Sequence, residues 1–137
     1  MTNWLITQTT RFKAAVTGAG AVEHVANWGN DDTTFDDAYF LGGLPWAQAT
    51  RYHDEAAIFQ IGKVKTPTHI VAGGDDIRVA VGEDYLLDHA LHNLGVPSTL
   101  LIFPGEGHSL DENPWHGKIK VREELKWLQK YGDVGNP

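Results

Sequence analysis

Apolar residues in this chain gather into three short runs and two periodic stretches, and their order along the sequence sets the expected architecture. The organising run is His69-Ile70-Val71-Ala72-Gly73-Gly74-Asp75-Asp76-Ile77-Arg78-Val79, which is apolar until it meets two glycines and two carboxylates. Placed after Lys65-Thr66-Pro67 and before a helical pattern, it predicts a buried parallel strand whose C-terminal end carries acids into a crevice. Thr99 to Phe103 predicts a second strand, which runs into Pro104-Gly105-Glu106-Gly107-His108-Ser109 and so delivers a histidine one strand-helix-strand unit later. Phe12 to Val16 predicts a third, with Thr17-Gly18-Ala19-Gly20 as the turn that follows. Between the strands, Leu87, Ala90, Leu91 and Leu94 at i, i+3, i+4 and i+7 predict a helix ended by Gly95 and Pro97. In the last periodic stretch Val121, Leu125, Leu128 and Tyr131 define an expected inward face, with lysines opposite and Gly132 as the stop.

The opening residues Met1, Trp4, Leu5 and Gln8 are spaced as one helix face, with no capping box before them. Residues 23 to 62 carry no clean period but many aromatics, among them Trp28, Phe35, Tyr39, Phe40, Trp46, Tyr52 and Phe59. They are expected to form short helices and loops that lid or flank a site, or else a satellite apolar cluster. The sum is an α/β chain with about three parallel strands and flanking helices, in a single domain over residues 1 to 137.

Composition narrows the function. A net charge of −7 leaves little to neutralise phosphates, so no nucleic-acid partner is expected. Five of the eleven basic residues (Lys118, Lys120, Arg122, Lys126, Lys130) lie on the last periodic stretch and read as the wet face of a helix. Without cysteine there is no disulfide, thiol nucleophile or thiolate metal site. No apolar stretch approaches the ~20 residues that span a bilayer, and the start does not resemble a signal peptide. A soluble protein, with a cytoplasmic address favoured, no membrane partner and no cofactor or metal, is the expectation. The acids Asp31 to Asp37 superficially suggest calcium but lack the glycine and closing glutamate of that loop. His89 and His92 share a helix face without a third ligand.

His24, His53, His69 and His116 sit among aromatic or strand residues and read as structural. His108 differs, because it leaves a strand among glycines and acids and can face a cleft. Asp76 by itself could be a helix N-cap or a partner for Arg78. Asp76 and His108, 32 residues apart across one strand-helix-strand unit, form the stronger signal. Acid first and histidine second is the tail of the Ser, Asp, His order of α/β-hydrolases.

Several motifs together carry a family resemblance. Met1-Thr2-Asn3-Trp4, Arg11 to Val16, Gly18-Ala19-Gly20, Val64 to Thr68, Asp76-Ile77-Arg78-Val79, Leu94-Gly95-Val96-Pro97 and Phe103 to His108 resemble the catalytic domain of the prolyl oligopeptidase family of serine peptidases, the acylaminoacyl-peptidase-like branch most closely. The resemblance implies a partial α/β-hydrolase fold, the C-terminal portion of the catalytic domain. It makes Asp76 the triad acid, by its register three residues before Val79, rather than Asp75, and His108 the base. It also places the nucleophile on a Gly-x-Ser-x-Gly-Gly-Tyr motif just before Met1, outside this sequence. Ser98 and Ser109, the serines the sequence does contain, stand on no such elbow. Three readings follow: the acid-and-base part of a serine peptidase or esterase acting on peptides or small esters; a non-catalytic, self-associating module; or a small esterase using Ser109 or a second chain. Weak or no activity is expected of the chain alone. A homo-oligomer is expected, most simply a dimer paired through the strand edge at Phe12 to Val16.

Overall fold

Residues 1–133 are described by the computed structural model. Helix α1 (Thr2–Gln8) precedes strand β1 (Ala15–Gly18). Helices α2 (His24–Asn30), α3 (Thr34–Phe40) and α4 (Ala49–Asp54) and a 3-10 helix (Ala57–Lys63) then lead to β2 (Thr68–Gly73). The chain finishes with α5 (Gly82–Asn93), β3 (Ser98–Phe103) and α6 (Pro114–Tyr131). The three strands form one parallel sheet in the order β1-β2-β3, the α/β arrangement expected from the sequence.

β2 is central because every one of its residues is buried, which the unbroken apolar run allows and an alternating strand would not. Its register pairs Thr68 with Ala15 and Ser98, and Val71 with Gly18 and Leu101. On one face Ile70 packs with Ile6 of α1, with Val64, and with Leu87 and Leu91 of α5. Ile6, Ile70, Leu87 and Leu91 are all at 1% exposure or less, each contributing roughly 2 kcal/mol of apolar burial. The α5 stripe therefore holds at Leu87 and Leu91. Leu94 lies beyond it, exposed where the chain turns out through Gly95 at φ 66°.

Three expectations are corrected. Strand β1 begins three residues later than read and runs through Thr17 and Gly18. Phe12 and Lys13 stay outside the ladder, Phe12 half exposed and Lys13 in an ion pair with Asp133; the turn starts at Ala19 (φ 47°). Second, residues 23 to 62 form the expected short helices, but their aromatics make no buried cluster: Trp28 and Trp46 meet edge to face with ring centroids 5.5 Å apart, and Trp46 stays exposed. Phe35, Tyr39, Phe40 and Trp46 are each at least 70% exposed, and only Tyr52 is sealed, its hydroxyl donating to Gly43 O at 3.1 Å. Third, the inward face of α6 is rotated from the predicted one. Val121 and Leu125 are 53% exposed, and Trp127 is the buried residue. Trp127 stacks on His69 of β2 and donates through Nε1 to Pro67 O. Lys120 and Glu124 occupy the same inner side and neutralise each other at 2.7 Å. One large indole thus takes the central place in the contact with the sheet, with Leu128 and Tyr131 of the expected face half-buried beside it and the Lys120–Glu124 pair partly exposed.

Candidate active site

Two chain reversals at the C-terminal ends of β2 and β3 build the site. After β2, Gly74 N donates to Phe103 O and Asp75 N donates to Glu106 O, both at 2.9 Å, so the two reversals are laced together. Gly73 has to be a glycine here. A Cβ at that position would lie 2.4 Å from the carbonyl oxygens of both Glu106 and Gly107. Close approach of bare backbone is what brings the two loops into register.

Asp76 closes the first reversal with one oxygen and meets the histidine with the other. Its Oδ1 accepts from Arg78 N (2.8 Å) and Val79 N (3.0 Å), capping the turn. Its Oδ2 contacts His108 Nδ1 at 2.9 Å. Asp76 is not the N-cap of α5, which begins at Gly82 after Val81; it caps the turn ahead of that helix and contacts the histidine at the same time. Asp76's side chain is 2% exposed and His108's 46%, which is the asymmetry wanted of an anchored acid and an accessible base. With Nδ1 engaged, the proton of a neutral imidazole sits on Nδ1 and leaves Nε2 as a lone-pair acceptor at the surface. Asp75 takes no part in that contact; the aspartate that the register to Val79 pointed to is the one that meets His108.

A cleft of about 280 Å³ opens at this point, lined by Asp32, Asp76, Arg78, His108 and Ser109 among others. Arg78 pairs with Asp32 and not with Asp76, through Nε (2.6 Å) and Nη2 (3.1 Å). The guanidinium hydrogen bond holds the Asp32 carboxyl below its ordinary range. Asp32 N also donates to Ile77 O at 3.0 Å, so the α2–α3 segment is tied to the loop that carries the acid. Ser98 is elsewhere, its Oγ donating to Asp88 at 2.8 Å. Ser109 borders the cleft but makes no hydrogen bond to the imidazole among the described residues.

Glu106 is the residue that sequence reasoning passed over. Fully buried, it accepts from Glu112 N (3.0 Å), Asn113 N (2.8 Å) and His116 Nδ1 (2.6 Å). Burial alone would raise its carboxyl, but those donors outweigh it and keep the group below the usual range. The carboxylate thereby fastens the His108 loop to the start of α6. An acid between two glycines, two residues before the histidine, was the available signal. His116 stacks on Phe103 and His69 is held by Thr99, while His24 and His53 make exposed contacts with Glu55 O and Asp54. His89 and His92 lie on exposed α5 surface, and among the described residues no cluster of three histidines and acids could hold a metal ion.

The prolyl oligopeptidase family model matches residues 1–134. A probable dipeptidyl-peptidase 5 of Aspergillus clavatus is 32% identical over 126 residues, 90% of this chain and 17% of that protein. The acylamino-acid-releasing enzyme of Arabidopsis thaliana is 29% identical over 110 residues, 80% of this chain and 14% of that enzyme. In three dimensions the acylaminoacyl peptidase of Pyrococcus horikoshii superposes with a TM-score of 0.89 at 20% identity, covering 98% of this chain and 22% of that structure. The chain spans about a fifth or less of these relatives' lengths. The fold is thus that of an α/β-hydrolase, and the match over almost every residue goes beyond shared architecture: the chain belongs to the prolyl oligopeptidase family.

Proposed function

We propose that this chain provides the acid and the base of a serine-type hydrolase site, as the C-terminal portion of an α/β-hydrolase catalytic domain, with the nucleophilic serine supplied by polypeptide outside this sequence. The observation that carries the reading is the Asp76 Oδ2 to His108 Nδ1 contact of 2.9 Å, with the acid buried and the imidazole open to a cleft. In such a site Nε2 takes the proton of the attacking hydroxyl and returns it to the leaving group, while Asp76 fixes the tautomer and stabilises the imidazolium. Acyl transfer to water then proceeds through an acyl-enzyme on the serine, with peptides or small activated esters as substrates. The names of the relatives, a dipeptidyl-peptidase and an acylamino-acid-releasing enzyme, support peptide derivatives as the substrate class.

By itself the chain retains general acid–base help, worth about 10²–10⁴-fold, against the millions of a complete triad. A fluorophosphonate probe should therefore leave Ser98 and Ser109 unlabelled in the purified chain. It should label a serine supplied in trans on a polypeptide carrying Gly-x-Ser-x-Gly-Gly-Tyr and its preceding strands, in a manner that requires His108. Stoichiometric labelling of Ser109 would favour a free-standing esterase instead.

A self-associating form is proposed alongside. Among the described residues β1 pairs on one side only, and Leu5 (39%) and Phe12 (44%) are exposed beside it, an edge that a second copy would cover. Sedimentation showing a monomer at micromolar concentration would rule out this dimer.

A further inference from the structure

Strand side chains alternate, so Ile70 faces α1 and α5 while its neighbour His69 faces α6. On that second face β2, β3 and α6 enclose a groove of about 440 Å³, larger than the cleft at His108 and sharing no residue with it. Its apolar surface comes from Leu101 of β3 and from Ile119 and Trp127 of α6. The Trp127 indole has its one N–H engaged with Pro67 O, so it offers the groove ring surface alone.

Charge at this groove runs against that of the chain. Net charge is −7 overall, yet Arg122, Lys126 and Lys130, spaced by four on α6, all line the groove, and Glu123 is the one acid among its lining residues. Glu123 is already occupied, accepting from Arg122 Nε (2.7 Å) and Lys126 Nζ (3.0 Å). Lys130 Nζ lies over the Tyr131 ring, 4.8 Å from its centroid, and meets no carboxylate among the described residues. Positive charge is therefore in surplus above an apolar floor.

His69 adds a polar group in need of a partner. It is 4% exposed, its Nδ1 is held by Thr99 Oγ, and its Nε2 has no hydrogen-bond partner among the described residues. A buried polar atom left so is costly unless something fills the vacancy. Burial lowers the imidazole below its ordinary range, with Glu124 and Glu123 opposing and Lys120 assisting, so the ring is neutral and carries one N–H. Since the Thr99 hydroxyl can donate or accept, an acceptor at Nε2 draws that proton to Nε2.

We propose that this groove binds a small monocarboxylate with an apolar body. The carboxylate is drawn in by the surplus cations of α6 and accepts from His69 Nε2–H, and the body rests on Leu101, Ile119 and Trp127. The volume and the mostly apolar lining with a few polar groups suit a small ligand. A phosphate would answer the charge but leave the apolar floor unused. The site is independent of the Asp76–His108 pair, and neither reading stands or falls with the other.

The test is a titration of the whole chain with N-acetyl-leucine, followed by NMR at the His69 ring and the Trp127 indole N–H, with calorimetry for the Kd. Both resonances should move and saturate together at about millimolar concentration. N-acetyl-leucinamide, the same body without the charge, and inorganic phosphate, charge without the body, should each bind at least about tenfold more weakly. His69→Phe, which keeps the ring on Trp127 and removes the donor, should weaken binding about tenfold. Lys130→Gln should weaken it about threefold at low salt, and His108→Ala should leave it unchanged. The inference is overturned if the His69 and Trp127 resonances of the unaltered chain stay still, a reading that needs no variant, or if the amide or phosphate binds as well as the acid. Loss of binding in His108→Ala would place the ligand in the other cleft and overturn it equally.

Discussion

Gly73→Ala should damage both the fold and the site, by an amount that follows from where its methyl group would go. The new Cβ would stand 2.4 Å from Glu106 O and from Gly107 O, and 3.0 Å from Glu106 C. All three are backbone atoms, so no side chain can rotate away. Relief requires the end of β2 or the loop before His108 to move by most of an ångström. Overpacking of this kind costs about 1–3 kcal/mol, and a clash with two carbonyls belongs at the top of that range or above it. Gly73 does not have a positive φ, so an unobstructed alanine would instead stabilise by about 0.4–1 kcal/mol through the unfolded state. The sign of the change is therefore diagnostic. Because Gly107 adjoins His108, the contact of 2.9 Å with Asp76 should also lengthen. Urea unfolding followed by circular dichroism gives the stability change, and the His108 Nδ1 proton resonance reports the contact. A variant at least as stable as the parent, with that resonance unshifted, would refute the close-approach argument.

Further outcomes follow from burial and charge. Trp127→Ala should cost about 3–5 kcal/mol, whereas Leu125→Ala, on the exposed side of α6, should stay within about 0.5 kcal/mol in urea melts; equal losses would restore the leucine face as the inward one. Asp84→Asn should stabilise the chain in a pH-dependent way. The native carboxyl is raised to about 7 from an unfolded value near 3.9, so its penalty is nil below about pH 4, grows as pH rises and is complete above about 7. The gain should reach at most the order of 4 kcal/mol at pH 8 and vanish at pH 4; equal gains at both would show that ionisation is not the cause. Burial also lowers His69. Since the unfolded imidazole takes its proton near pH 6.5 and the native one resists, His69→Gln should flatten the loss of stability as pH falls below about 6.5, and an unchanged slope in acid melts would contradict this.

The sheet and the α5 stripe could be read from the sequence because their signals are local: an unbroken apolar run for β2, and Leu87 and Leu91 one turn apart. The Asp76–His108 pairing could be read because each residue follows a strand by a few positions, and a parallel sheet puts those ends side by side. The face of α6 could not. Its buried residue is Trp127, with His116, Leu128 and Tyr131 half-buried, and an aromatic anchor flanked by charged neighbours sets no clear hydrophobic period. The role of Glu106, hinted at only by its place between two glycines, was hard to read for a related reason. Its partners are backbone amides at Glu112 and Asn113, and no sequence pattern reveals which carboxylate will collect them. The pairing of Arg78 with Asp32, 46 residues away, likewise depends on how the irregular α2–α3 segment folds back, where no period existed to guide the reading.

The account turns on whether Asp76 and His108 work as acid and base, and rates of ester hydrolysis by a reconstituted complex test that most directly. The chain is mixed with a polypeptide bearing Gly-x-Ser-x-Gly-Gly-Tyr and its preceding strands, complex formation is verified, and an activated ester is supplied. Modest hydrolysis is expected, since a junction at the turn into α1 leaves the serine loosely held and a misplacement of an ångström costs about 10²-fold. His108→Ala should remove nearly all of it, and Asp76→Asn should lower it by about 10²–10⁴-fold through the wrong imidazole tautomer. Undiminished hydrolysis by a verified His108→Ala complex would contradict the assignment.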